Sequence, residues 1–181
     1  MLNGILVPGG TGRIVTLHDL AWEVLADRTA HVEDISWVTP RGILDDDAIA
    51  EKFVRGQVEE ALERAAEVAP RGRPVLVAKS FGSYAAALAA ERSLPAVWLT
   101  PLLTRAPIVD AITRNPAPQL LVGGTEDSKW WDADAARGTG KQVLTVPGGT
   151  HSLRVPGPIR NYTTVLGDVA TAIEEFLDAL D

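Results

Sequence analysis

The sequence predicts an α/β fold, a three-layer α/β/α sandwich on a mostly parallel sheet of about six strands. Three observations carry this expectation. Short apolar runs alternate along the chain with longer segments of helical periodicity, the order that builds a parallel sheet with helices on both faces. One segment, Tyr84-Ala85-Ala86-Ala87-Leu88-Ala89-Ala90, is small and apolar nearly all round, as suits a helix buried at the middle of a sheet. The Pro-rich patches at 115–118 and 156–158 punctuate loops, and no linker or repeat divides the chain. Residues 1–181 therefore read as a single domain, long enough to bury a two-faced core.

The elements can be placed in order. Strands are expected over 5–7, 35–38, 74–78, 96–99, 119–122 and 143–146, each a short apolar run. Between the second and third, Val54, Val58, Ala61, Leu62, Ala65 and Val68 recur at helical spacing among charged residues, predicting a helix within 45–69. Val169, Ile173, Phe176, Leu177 and Leu180 repeat that pattern near the end of the chain. Trp22, Trp37 and Trp98 lie in or at the end of expected elements and read as core.

Composition excludes several partners. The net charge is −7 and the 17 basic residues form no run, so a nucleic-acid partner is not expected. No apolar stretch approaches the roughly 20 residues of a membrane helix. Met1-Leu2-Asn3 lead straight into the first strand, with no signal-peptide layout. The chain has no cysteine, which removes disulfides, thiolate metal sites and a cysteine nucleophile together. A cytoplasmic protein is the expectation; the oligomeric state is left open.

The chemistry centres on Val75-Leu76-Val77-Ala78-Lys79-Ser80-Phe81-Gly82-Ser83, where a hydrophobic strand runs into a serine and then into the alanine-rich helix. This is the layout of a nucleophile elbow, a sharp strand-to-helix turn that lifts a serine hydroxyl above the sheet. Small residues are needed two before and two after the serine, and Ala78 and Gly82 meet that need. A serine at this boundary also serves commonly as a helix cap. A serine nucleophile needs a base and a group to orient it, each beyond a later strand. Of the three histidines, His31 falls at the opposite edge of a parallel sheet and His18 at the start of a helix. His151 follows a strand and the loop Pro147-Gly148-Gly149-Thr150, on the same edge as Ser80. Among nearby acids, Glu126, Asp127, Asp132 and Asp134 share one loop; Asp127 has the favoured distance from its strand, while Asp132 and Asp134 suit a helix start.

With these pieces the chain resembles the α/β-hydrolase superfamily over nearly its whole length, as a small serine hydrolase without a cap. The matching motifs are Leu6-Val7-Pro8-Gly9-Gly10-Thr11, Ala78-Lys79-Ser80-Phe81-Gly82, Gly124-Thr125-Glu126-Asp127 and Pro147-Gly148-Gly149-Thr150-His151-Ser152. Ala78 stands where glycine is usual, and Pro8 where many members carry histidine. The resemblance implies Ser80 as nucleophile, His151 as base and then acid, and Asp127 as orienting carboxylate. It further implies an oxyanion hole from the backbone N–H of Phe81 and one from the Gly9–Thr11 loop, foremost Gly10. The implied reaction is cleavage of a small ester or thioester, with no cofactor. Only residues 100–118 separate the fourth and fifth strands, too few for a cap, so an open cleft is expected. Leu102, Leu103, Trp130 and Trp131 are its expected walls, since adjacent indoles cannot both face inward from one element.

Other signals carry less. Pro8-Gly9-Gly10-Thr11-Gly12-Arg13 has the look of a dinucleotide loop, but Val15 stands where the third glycine belongs. A short-chain dehydrogenase would also need Tyr-x-x-x-Lys, and Leu88 and Leu166 stand four residues after the two tyrosines. Asp45-Asp46-Asp47 suits a helix N-terminus, and without a His-x-x-x-His pattern no metal is expected. Lys79 reads as solvated or paired at the rim. A catalytically silent domain of the same fold, used for protein interaction, is the alternative from another class.

Overall fold

The computed structural model describes residues 1–11 and 16–180. Six strands, β1 (Leu2–Val7), β2 (His31–Asp34), β3 (Arg73–Lys79), β4 (Ala96–Leu99), β5 (Gln119–Gly124) and β6 (Gln142–Val146), form one sheet in the order β2-β1-β3-β4-β5-β6. Every neighbouring pair is parallel. The helices are α1 (Thr16–Arg28), α2 (Asp47–Val68), α3 (Ala86–Glu91), α4 (Ala106–Arg114), α5 (Ala133–Gly138) and α6 (Ile159–Asp178). Alternation along the strands sorts them into two layers. Leu2, Leu6, Val75 and Val77 face α1 and α6, whereas Ile5, Val7, Leu76 and Ala78 face α2 to α5. Buried helix positions follow the periodic residues, with Val54, Val58, Ala61 and Ala65 fully inward on α2 and Val169, Ile173, Phe176 and Leu177 on α6.

The chain leaves β1 for β2 on one side, then crosses to β3 on the other. That reversal opens a crevice at the carboxyl ends of β1 and β3, where sites of open parallel sheets assemble. The two layers are drawn tightly onto β1. A Cβ at Gly4 would lie 2.8 Å from Leu25 Cδ2 of α1. On the other face Asn3 is buried, and its amide donates to Ala69 O at 2.9 Å and Ala65 O at 3.2 Å, securing the last turn of α2. Among the described residues no helix is long and apolar enough to cross a membrane.

Several expectations need correction. The second strand is His31–Asp34, not 35–38. Among the described residues this edge strand pairs only with β1, so each polar side chain can find a lateral partner: Glu33 with Arg64 and His31, and Asp34 with His18. The apolar residues that follow cross the carboxyl edge as a loop. Ile35 is buried in the core, and the Trp37 ring packs edge-on against Phe53 and Phe81, at 5.6 and 5.8 Å between centroids. Trp22 is no core residue; it is exposed on α1. Trp98 is fully buried, with its indole N–H donating to Gln119 Oε1 at 2.8 Å. The alanine-rich segment is buried as expected but starts as a 3-10 turn, Ser80–Ala85, before α3. Asp46 caps α2 by accepting from Ala48 N and Ile49 N, which accounts for the acidic run there.

Asn3→Ala removes the buried donor from the carbonyls of Ala65 and Ala69. Both carbonyls keep a backbone donor, from Ala69 and Gly72, so the expected cost is that of two lost hydrogen bonds, about 1–3 kcal/mol in denaturant titration. An unchanged midpoint would show that the α2 terminus does not depend on this side chain.

Candidate active site

β3 ends at Lys79 and the backbone turns at Ser80, whose φ is +49°. That region is unfavourable for a residue with a Cβ and persists only where surroundings impose it. The imposing contact is with β1. A Cβ at Gly82 would sit 2.9 Å from Pro8 O and 3.0 Å from Val7 Cγ1, so only glycine lets the turn close against the end of that strand. Ala78 is accommodated without disturbance, since its methyl group is fully buried in the α2 to α5 layer and the residue keeps its register with Val7 and Trp98. Ser83 braces the turn, donating to Ser80 O at 2.6 Å and accepting from Leu102 N at 3.2 Å. Sequence reasoning missed Ser83; its signal was a serine one turn after Ser80.

His151 and Asp127 arrive on loops bonded to each other. Thr125 N donates to Val146 O, Glu126 N to Gly149 O and Gly148 N to Thr125 Oγ1. Gly124 admits this approach, because a Cβ there would lie 2.1 Å from Gly149 O. His151 Nδ1 is 2.5 Å from Asp127 Oδ2, and its Nε2 is 2.8 Å from Ser80 Oγ. With Nδ1–H donating to the carboxylate, the Nε2 lone pair is free to accept the serine hydroxyl. The Asp127 side chain is 3% exposed while that of His151 is 31% exposed, so the carboxylate is shielded and the imidazole opens to solvent. The other acids stay apart: Asp132 caps α5, Asp134 pairs with Arg137 and Glu126 is exposed. His31 heads β2 at the far edge, and His18 is buried on α1 against Asp34.

The loop after β1 lies over the serine turn. A Cβ built at Gly9 would be 3.5 Å from Ser80 Cβ, and one at Gly10 3.7 Å from Phe81 Cβ. Thus Gly9 lies against Ser80 and Gly10 against Phe81. Phe81 sits in the first turn of the 3-10 segment, where a backbone N–H has no helical partner. Gly12, Arg13 and Val15 of the dinucleotide-like stretch lie outside the described residues. Among the described residues no group of three or more His, Asp or Glu could hold a metal.

The expected cleft walls are largely core. Leu102 and Leu103 are buried in the α2 to α5 layer, and Trp131 is buried on Gly123, where a Cβ would strike its ring at 2.0 Å. The missing side chain of Gly123 is what draws this indole inward. Trp130 remains half-buried, with Lys129 Nζ 4.6 Å and Arg105 Cζ 5.7 Å from its ring centroid. Adjacent indoles do diverge as expected, with only one turned outward. Lys79 is also corrected: it is 5% exposed, not solvated. Burial pushes its amine below the ordinary lysine range, partly opposed by attraction to Asp127.

The sign of the Lys79 effect is testable. A lowered folded pKa means that burying the ammonium opposes folding below that pKa, and that the cost fades as pH rises through it towards the unfolded value near 10.4. Lys79→Met is therefore expected to raise Tm at pH 7, by a margin that shrinks at alkaline pH. A margin independent of pH, or a loss of stability at pH 7, would contradict this.

No family model matches the sequence, and no curated protein matches it. Solved structures do. A dienelactone hydrolase from Anabaena variabilis superposes with a TM-score of 0.73 at 18% identity, over 99% of this chain and 86% of the other. An esterase from Pyrococcus furiosus gives 0.66 at 12% identity, over 98% and 82%. A serine hydrolase without a lid from Xanthomonas campestris gives 0.62 at 17% identity, over 99% and 82%. With six parallel strands between two helical layers, and superposition over nearly its whole length, this chain has the α/β-hydrolase fold.

Proposed function

We propose that the protein is a serine hydrolase that cleaves a small ester or thioester through an acyl-enzyme. The observation that carries this reading is the continuous relay Ser80 Oγ, His151 Nε2, His151 Nδ1, Asp127 Oδ2, with links of 2.8 and 2.5 Å. A serine held at positive φ supports it further, since such strain concentrates where function requires it. The superposed structures include proteins named as an esterase and a dienelactone hydrolase.

In this reaction Ser80 Oγ attacks the acyl carbonyl while His151 Nε2 takes its proton. Asp127 holds the imidazole in the required tautomer and stabilises the imidazolium. The N–H groups of Phe81 and Gly10 hold the tetrahedral oxyanion. Collapse breaks the bond to the alcohol or thiol, which leaves with the proton from His151. Water, deprotonated by His151, then attacks the acyl-enzyme, releasing the carboxylic acid and restoring Ser80. No step calls for a cofactor.

A fluorophosphonate is expected to label Ser80 alone, and Ser80→Ala to lower kcat by about three orders of magnitude or more with the fold intact, as when a triad member is lost. Asp127→Asn should cost far more than Asp132→Asn or Asp134→Asn. An adduct on Ser83 or Ser152, or near-normal turnover by Asp127→Asn, would overturn the assignment. The short connection between β4 and β5 predicts an open site, in which each added acyl methylene contributes less than the roughly 0.8 kcal/mol of full burial. A kcat/KM that climbs steadily to long-chain esters would reject that picture.

A further inference from the structure

The loop that leaves β2 was expected to be a strand, and its actual course brings two donors to the Gly9-Gly10 turn. Trp37 Nε1–H donates to Gly9 O at 3.1 Å, and Thr39 Oγ1–H donates to Gly10 O at 2.7 Å. Each bond grips one peptide plane. The carbonyl of Gly9 belongs to the same rigid unit as the N–H of Gly10, and the carbonyl of Gly10 to the same unit as the N–H of Thr11. In a trans peptide these two groups point in opposite directions, so holding the carbonyl aims the N–H. The turn carrying them is glycine-rich and packs against Ser80 and Phe81 without side chains of its own. Neither Gly9 nor Gly10 has a side chain to resist rotation of those planes, and glycine has the widest backbone freedom.

We propose that Trp37 and Thr39 are positioning residues that clamp the turn after β1, with its Gly10 N–H aimed at the oxyanion. The proposal rests on the serine-hydrolase reading above and adds residues from outside its motifs. The Trp37 indole is itself fixed, edge-on between Phe53 and Phe81, so its N–H has little freedom to follow a drifting carbonyl. The loop after β2 thereby ties the Gly10 N–H to the element that carries the Phe81 N–H. Two donors on separate loops keep one spacing because Trp37 touches both. Preorganised donors stabilise developing charge without reorganising during the reaction, so a clamp on a floppy donor acts on the transition state rather than on substrate binding.

The test uses Trp37→Phe, which keeps an aromatic ring but loses the donor, and Thr39→Val with Thr39→Ser as its conservative partner. Substrate is 4-nitrophenyl acetate, and an aryl trifluoromethyl ketone serves as an analogue whose oxyanion occupies the hole. Trp37→Phe is expected to lower kcat by roughly tenfold to a hundredfold, the scale of a misplaced or lost oxyanion donor, and to leave KM within about twofold. The ketone should weaken by a matching factor. Thr39→Val should show the same pattern more mildly, and Thr39→Ser should restore it. If Trp37→Phe does not fold, the Thr39 pair decides alone. Retention of kcat and ketone affinity within about twofold by both Trp37→Phe and Thr39→Val overturns the clamp, as does a fall in kcat with ketone affinity unchanged. A parent protein that neither hydrolyses the ester nor accepts fluorophosphonate on Ser80 overturns the hydrolase reading, and the clamp with it. A labelled, active parent with indifferent variants overturns the clamp alone.

Discussion

The close packing of the turn after β3 against the end of β1 is the constraint from which the site is built. Gly82 lies against Pro8 O and Val7, at a separation that would place any Cβ 2.9 Å from a carbonyl oxygen. Because the turn is pressed there, the backbone at Ser80 is driven to a φ of +49° and the side chain is presented at the sheet edge. The same packing lays Gly9 beside Ser80 and Gly10 beside Phe81. It also begins the buried run from Phe81 to Ala89, where small side chains permit the approach to the sheet that the turn demands. Relaxing this one contact would release the serine, the flanking N–H groups and the entry of α3 together.

A second pairing, between the loops after β5 and β6, performs the corresponding task for the other two side chains. Backbone bonds from Thr125 and Glu126 to Val146 and Gly149 hold the loops as one body, and Gly124 provides the space. The relative placement of Asp127 and His151 therefore depends on main-chain hydrogen bonds rather than on side-chain packing. Buried charge concentrates nearby. Asp127 and Lys79 are both well shielded, and their mutual attraction offsets part of the desolvation of Lys79. A charge pair of this kind is a weak source of stability, because removing both ions from water opposes the gain from bringing them together.

The fold and the three converging side chains were legible because they rest on local rules. Apolar runs of strand length alternating with periodic segments give parallel layers. A serine at the strand-to-helix boundary, followed by an acid and a histidine at later strand exits, needs only chain order to be placed on one edge. The second strand was misplaced for a physical reason. His31-Val32-Glu33-Asp34 lacks the apolar run of a central strand because an edge strand can satisfy its polar side chains sideways, whereas Ile35 and Trp37 are apolar for their packing over the edge. Cleft walls were misassigned because exposure is set by neighbours: Gly123 opens the hollow that takes the Trp131 ring, and Leu102 and Leu103 turn into the α2 to α5 layer.

By itself the sequence determined the class of fold, the order of its layers and which residue types meet at the carboxyl edge, since periodicity and turn chemistry act over a few residues at a time. Only the tertiary structure decided the spacing of Ser80, His151 and Asp127, the burial of Lys79 and the grip of Trp37 and Thr39 on the Gly9-Gly10 turn. Those features are contacts between segments far apart in the chain. They arise from how closely backbones approach at Gly82, Gly123 and Gly124, a distance that no local pattern encodes.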